Sequence, residues 1–332
     1  MKIAIFEIED WEKPYLQEKL QGHELIYFSD PLDSANVRQV QDVAAIAVFI
    51  YSALTEEILN QLPSLKYIVT RSTGFDHINL DLCKQKNILV SNVPEYGTHT
   101  VAEHTFALML AISRKLLPSI ERTRKGDFSL DGLRGFDLHG RTLGVIGTGH
   151  IGQEVIKIAK GFGMRILGYN RTERPDLADQ LGFTYVSLDE LLAHSDIVSL
   201  HLPYVPQTTH FINKENILKM KKGSILLNTA RGGLIETEAI LVGLNNGILS
   251  GAGIDVLEEE AFIKEERQLL TEQFLKEFDI KTQLLNHVLL TKDNVLITPH
   301  NAFNSQEALQ RILDVTIEDL KAFSQGQQIN SV

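Results

Sequence analysis

Short apolar runs punctuate the first third of the chain: Ile3 to Phe6, Leu25 to Phe28, Ala44 to Ile50, Tyr67 to Thr70 and Ile88 to Val90. Runs of this length alternate with stretches of helical spacing, a pattern that reads as a parallel sheet covered by helices. After Asn92-Val93-Pro94 the spacing changes. Thr100 to Leu116 predicts one long helix, apolar almost all round between Phe106 and Ile112, which suits burial between domains or subunits. A second series of strands follows: Leu143 to Ile146, Arg165 to Tyr169, Asp196 to Leu200, Ser224 to Asn228, Gly251 to Asp255 and Val295 to Thr298. Six strands make a complete doubly wound sheet. The last helix, Ser305 to Phe323, has no partner strand in that series and is expected to return to the N-terminal region. The predicted organisation is a doubly wound α/β domain at 101–298 inserted into a smaller α/β domain made of 1–100 plus 299–332. The stretch Ala261 to Lys292 carries five basic and five acidic residues with apolar residues at helical spacing. It reads as a surface helical excursion in preference to a lid.

The turn after the first strand of the second series has the spacing Gly147-x-Gly149-x-x-Gly152, and a helical stretch from Gln153 to Gly161 follows. Alone, this spacing is as consistent with an ordinary glycine-rich turn. Its strand and helix are the setting a dinucleotide pyrophosphate needs. Gly147 permits the turn, Gly149 lets backbone N–H groups approach the phosphates, and Gly152 lets the helix pack on the strand. His150 and Ile151 complete the cradle, at the positive end of the helix. The cofactor expected is NAD(P). An NAD-specific domain ends its second strand on an acidic residue that binds the ribose hydroxyls. Here that strand runs into Asn170-Arg171-Thr172, with Arg174 close behind. No carboxylate repels a 2′-phosphate, Arg171 suits one, and Thr172 adds a hydroxyl, so the segment points to NADP ahead of NAD. The competing reading sends Arg171 into solvent and has Asn170 serve the NAD ribose.

Three later phrases lie at the C-terminal ends of strands, where ligands of open α/β sheets bind: NTARG (Asn228 to Gly232), GIDVLEEE (Gly253 to Glu260) and TPHNAF (Thr298 to Phe303). Arg231 brings a guanidinium that forks onto a carboxylate and polarises a neighbouring carbonyl. His300 brings an imidazole that gives a proton to a developing alkoxide and takes it back. Glu260 brings a carboxylate that fixes the imidazole tautomer and raises its pKa. Singly, each has an ordinary reading: a surface ion pair, a solvated glutamate, a core histidine. Their joint placement favours chemistry on a 2-oxo or 2-hydroxy acid.

Together GVIGTGHIG, SLHLP, NTARGGLI, GAGIDVLEEE and TPHNAF resemble the D-isomer-specific 2-hydroxyacid dehydrogenases, over nearly the whole chain. The resemblance implies a Rossmann domain inserted into a flavodoxin-like substrate domain, with Arg231, Glu260 and His300 as the catalytic set. Among the branches the chain looks most like the D-lactate dehydrogenases. That likeness implies aromatic pocket residues at Tyr51, Tyr96 and Phe303, and a loop, RSTGFDHI, whose N–H groups at Thr73 and Gly74 bind the substrate carboxylate. It also implies cofactor contacts at Val101, His201, Pro203, Thr208, Thr229, Ala230 and Asp255. By sequence alone, Tyr51 and Tyr96 read equally as packing aromatics, and His201, closing an apolar strand, as a satisfied core residue. The segment after Glu260 is longer than its counterpart in those relatives, which bears on substrate identity.

Bulk properties narrow the partners. The 332 residues suit two domains, and a net charge of -11 disfavours nucleic acid and anionic membranes as partners. Cys83 is the single cysteine, which fits a reducing cytoplasm, and neither a signal peptide nor a membrane span is legible. No metal site is expected; His99 and His104 lack a completing carboxylate cluster. The apolar helix makes a homodimer the expectation. The leading reading is an NAD(P)-dependent D-2-hydroxyacid dehydrogenase acting on a small 2-oxo acid such as pyruvate. Glyoxylate or hydroxypyruvate reduction is one alternative. A dinucleotide-sensing, corepressor-like binding protein is another.

Overall fold

The computed structural model of the chain describes residues 1–258 and 280–332. It divides into two compact units, Met1–Tyr96 with Asn304–Val332, and Gly97–Phe303, so the chain leaves the first unit and returns to it after the inserted one.

The first unit holds a five-stranded sheet of β1 (Lys2–Ile5), β2 (Glu24–Tyr27), β3 (Ala45–Val48), β4 (Tyr67–Thr70) and β5 (Leu89–Asn92), all parallel, in the order β2-β1-β3-β4-β5. This is the flavodoxin-like order, and it reverses between β1 and β3. The strands are apolar on both faces because helices cover both. Successive residues therefore feed opposite cores: Ala4, Ile46 and Ile68 on one side, Ile3, Ile5, Ala45 and Val69 on the other. Helices α1 (Glu12–Lys19), α2 (Glu56–Asn60) and α3 (Leu80–Gln85) come from the N-terminal part. The last helix, Gln306–Ser324, closes the second face with Leu313, Ile317 and Leu320. Ser305 caps it by accepting from Ala308 N–H, and its Phe323 stacks on Tyr67 at 4.4 Å between ring centroids. The C-terminal residues then pair antiparallel with β5 at Ser91 and Ser331.

The inserted unit contains β6 (Thr142–Ile146), β7 (Arg165–Tyr169), β8 (Thr184–Tyr185), β9 (Ile197–Leu200), β10 (Ser224–Asn228), β11 (Leu249–Ile254) and β12 (Val295–Ile297). Their order, β12-β11-β10-β9-β6-β7-β8, is a doubly wound Rossmann sheet whose switch point lies between β6 and β9. It has a seventh strand where six were expected. β8 is only two residues long, too short to produce an alternating pattern that sequence reading can detect.

The helix expected at 100–116 is also corrected. It runs Thr98–Ser113 (α4), and the backbone breaks at Lys115, whose φ of 51° is left-handed, before a separate α5 (Leu116–Arg124) begins. Within the inserted unit, α4 packs against the sheet and the helix His150–Gly161 (α6), which accounts for its nearly all-round apolar character. The unit also contains α7 (Pro175–Leu181), α8 (Leu188–His194) and α9 (Thr237–Asn245). Of the 261–292 excursion, the described part forms α10 (Ile280–Leu290), which buries Thr282, Gln283, Asn286 and Leu289 and exposes Ile280, Leu284, Val288 and Leu290. The final helix is accordingly α11. Among the described residues no helix is long and apolar enough to cross a membrane.

Candidate active site

The glycine turn joins β6 to α6 at the switch point of the inserted sheet. Gly147 has a φ of 98°, and a Cβ there would press on the carbonyl of His201. A Cβ at Gly152 would drive into the carbonyl oxygen of Gly147, so the first turn of α6 sits directly on the strand end. At Gly149 the surroundings are open, with nothing within 4 Å of a built Cβ. Gly149 is the N-cap of α6 and offers no side chain to the helix's first N–H groups. The open approach and the positive end of the helix fit a pyrophosphate. His150 is exposed and Ile151 half-buried beside them.

At the end of β7 the amide of Asn170 donates to the carbonyl of Thr172 at 2.7 Å and folds the turn that exposes Arg171 and Arg174. His201 follows β9, with its Nε2 2.8 Å from the Ser199 hydroxyl. Burial pushes its pKa down to about 4, which keeps the ring neutral near pH 7. The hydroxyl of Thr208 closes the next loop by donating to the carbonyl of Pro203 at 2.7 Å. Val101 is nearly buried on α4, and its carbonyl accepts from Thr105 at 2.8 Å. The hydroxyls of Thr105 and Thr229 then lie 2.9 Å apart.

Asn228, at the end of β10 and 1% exposed, holds the NTARG loop from both sides. Its carbonyl accepts from Ala230 N–H at 3.1 Å and its amide donates to the carbonyl of Arg231 at 2.9 Å. Arg231 is half-buried, and its Nη1 donates to the carbonyl of Ala230.

Asp255, also 1% exposed, does the same for TPHNAF. Its Oδ1 accepts from the Thr298 hydroxyl at 2.5 Å and Asn301 N–H at 3.0 Å, and its Oδ2 accepts from Ala302 N–H at 2.9 Å. Its backbone carbonyl accepts from His300 N–H at 2.8 Å. His300 is thereby kept in the left-handed region, φ 52°, where an ordinary side chain is strained. Since Thr298 spends its proton on Asp255, the Nε2 of His104, 3.1 Å from the Thr298 hydroxyl, must carry the hydrogen of that contact. The rings of His300 and Phe303 meet edge-on at 6.4 Å.

Glu260 lies outside the described residues, as do residues 261–279. Glu258, just before them, is anchored. His210 Nε2 sits 2.5 Å from its Oε1, and Thr237 donates to its Oε2 through both N–H and hydroxyl.

The first unit carries its own set at the C-terminal ends of its strands. Thr73 and Gly74 follow β4. The Thr73 hydroxyl donates to the carbonyl of Val93, and Asn92 donates to the carbonyl of Thr73. Among the described residues the N–H groups of Thr73 and Gly74 have no acceptor. Tyr51, after β3, is 42% exposed and meets Phe49 edge-on. The carbonyl of half-buried Tyr96 accepts from Arg311 at 2.8 Å.

Asn228, Thr298, Thr105 and His104 hold these loops, yet none was singled out from sequence for that work. Asn228 and Thr298 could have been: each is a polar residue closing an apolar strand and opening a chemistry-bearing phrase. Thr105 and His104 look like any other polar residues of a largely apolar helix.

The model of the D-isomer specific 2-hydroxyacid dehydrogenase NAD binding domain matches residues 106–302. A 2-hydroxyacid dehydrogenase homolog of Haemophilus influenzae is 36% identical, covering 100% of this chain and 99% of that protein. The D-lactate dehydrogenase of Escherichia coli is 35% identical, covering 98% of each. Among solved structures, D-lactate dehydrogenase from Aquifex aeolicus complexed with NAD and lactic acid matches with a TM-score of 0.86 at 40% identity, covering 98% of this chain and 96% of that one. With its Rossmann cradle, the chain belongs to the D-isomer-specific 2-hydroxyacid dehydrogenases, oxidoreductases that bind NAD(P) and act on the CH–OH group of small 2-hydroxy acids.

Proposed function

We propose that this chain interconverts pyruvate and D-lactate, or a close 2-oxo/2-hydroxy acid pair, with NADP(H) preferred over NAD(H). The observation that carries the reading is the pinning of two loops at one edge of the inserted sheet, Arg231 by Asn228 and His300 by Asp255. When bound, the dinucleotide supplies or accepts the hydride. Arg231 holds the substrate carboxylate and polarises its carbonyl. His300 donates a proton to the developing alkoxide on reduction and recovers it on oxidation, and Glu260 supports His300 in that role. Thr73 and Gly74 offer N–H groups to the carboxylate, while Tyr51, Tyr96 and Phe303 form apolar walls suited to a small side chain. The cradle from Gly147 to Gly152, with Val101, His201, Pro203, Thr208, Thr229, Ala230 and Asp255, serves the cofactor. Exposed Arg171 and Arg174 beside a strand end without a carboxylate support the phosphorylated form. The relative solved with NAD is the counterweight.

Kinetics with pyruvate, phenylpyruvate, glyoxylate and hydroxypyruvate, each with NADPH and NADH and with product chirality assigned, test the reading. No turnover with any acid overturns it. A tenfold or greater preference for NADH overturns the cofactor assignment alone. His300→Ala removes most turnover while leaving dinucleotide affinity in place, and retained activity would refute the proton role.

In the inserted unit, α5 and the loop after it expose Leu116, Leu117, Ile120, Phe128 (77%) and Leu130 (82%). A patch of that kind supports coverage by a second copy of the chain, and light scattering that reports a monomer would exclude it. The acidic balance and the buried, unpaired Cys83 suit a reducing cytoplasm.

A further inference from the structure

The first unit has a switch point of its own, between β1 and β3, and Glu7 stands at it, just past the end of β1. Its φ of 54° is left-handed, a conformation that long side chains rarely adopt. From there its carboxylate reaches the segment after β3. Oε2 accepts from Phe49 N–H at 2.8 Å and from the Ser52 hydroxyl at 2.5 Å, and Oε1 accepts from Tyr51 N–H at 2.9 Å. Ser52 is fully buried, and its hydroxyl oxygen accepts in turn from Leu32 N–H at 2.9 Å.

The backbone of Glu7 is fastened separately. Arg71, 5% exposed, donates to the carbonyls of Phe6 and Glu7, both at 3.2 Å, and pairs with buried Glu12. Glu12 already supplies Arg71 with a hydrogen-bonded counterion. The Glu7 carboxylate acts on Arg71 through charge alone, while its hydrogen bonds all go to the four residues that include Tyr51.

We infer that Glu7 is a positioning residue that sets Tyr51 and, through it, the size of the 2-oxo acid side chain the enzyme accepts. This rests on Tyr51 being a pocket wall, as proposed above. The chemistry demands a carboxylate: three donors converge on it and it has no proton of its own to turn toward them. Glutamine would aim an NH2 group at an N–H or a hydroxyl proton.

The test uses the full-length protein with Glu7→Gln, Tyr51→Ala and the double variant. It measures kcat and KM for pyruvate and phenylpyruvate, together with dinucleotide affinity. Losing one charge-assisted hydrogen bond on the Tyr51 segment should raise KM for pyruvate about tenfold while kcat stays within about threefold. The kcat/KM ratio of the two acids should shift in the same direction as in Tyr51→Ala, with dinucleotide affinity unchanged. On top of Tyr51→Ala, Glu7→Gln should add less than about twofold, because residues acting through one contact are not additive.

Unchanged KM and ratio in Glu7→Gln, or an undiminished effect in the Tyr51→Ala background, overturns the inference. If Tyr51→Ala leaves the ratio unmoved, the pocket reading falls and takes the route through Tyr51 with it. If it moves the ratio and Glu7→Gln does not, the Glu7 inference alone falls. Should Glu7→Gln fail to fold, Ser52→Ala removes one donor. A smaller shift of the ratio in the same direction supports the inference, and an unmoved ratio overturns it.

Discussion

Replacing Asp255 by Asn leaves shape almost unchanged and removes one acceptor from a carboxylate that serves three donors, Thr298 Oγ1, Asn301 N and Ala302 N. Whichever way the new amide turns, its NH2 faces at least one of them. The less costly orientation turns it toward Ala302. One hydrogen bond to a charged acceptor is then lost and one nearly buried N–H is left without a partner, together about 3 kcal/mol once partial relaxation is allowed for. That energy bears on His300, whose left-handed backbone is strained by about 1–2 kcal/mol on its own and relaxes once the clamp loosens. A loss of about 3 kcal/mol from the productive loop conformation corresponds to roughly a hundredfold fall in kcat. Steady-state reduction of pyruvate measures it, with dinucleotide affinity determined in parallel so that a cofactor effect is separated. Thr298→Val deletes the hydroxyl's bonds to Asp255 and from His104 and should cost about thirtyfold, in line with the loss of two hydrogen bonds. An Asp255→Asn protein that keeps its melting temperature and a kcat within about threefold of the parent would refute the loop-clamp reasoning.

Burial raises the pKa of Asp319 from 3.8 to about 7 in the folded protein, partly offset by the hydrogen bond from Asn330. The folded state therefore holds a proton that the unfolded chain has released, so this contribution to stability is full below about pH 4 and is lost as the pH rises toward 7, up to about 4 kcal/mol. Asp319→Asn should flatten that dependence and stabilise the first unit at pH 8. Urea unfolding followed by the fluorescence of Trp11, the only tryptophan, reads this unit selectively, and an unchanged pH dependence would count against the account. Gly152→Ala must displace the backbone of Gly147, an overpacking cost of about 1–3 kcal/mol, so melting temperature and dinucleotide affinity should fall together. A variant that keeps both would show that the turn tolerates the shift.

Legibility followed physical range. Tyr67–Thr70, Arg165–Tyr169 and Ser224–Asn228 form strands with the bounds read from sequence; the first and last are buried on both faces and declare themselves as apolar runs between polar turns, and Arg165–Tyr169 keeps one face fully buried. The glycine turn was equally legible, since left-handed backbone and close approach leave few residues acceptable there. The break in α4 at Lys115 escaped notice because a lysine carries no signal for a left-handed conformation. β8 escaped because two residues have no period.

Local rules thus determined the alternation of strands and helices, the family motifs, and which strand ends carry Arg231 and His300. Tertiary structure alone decided what holds those groups. Asn228 and Asp255 are recognisable as clamps only when the loops fold back over their carboxamide and carboxylate. Glu7 finds its partners 42 to 45 residues away, across a switch point. Hydrogen bonds between such distant positions leave no periodicity in a single chain, so these supports appear only after the sheet has brought their partners together.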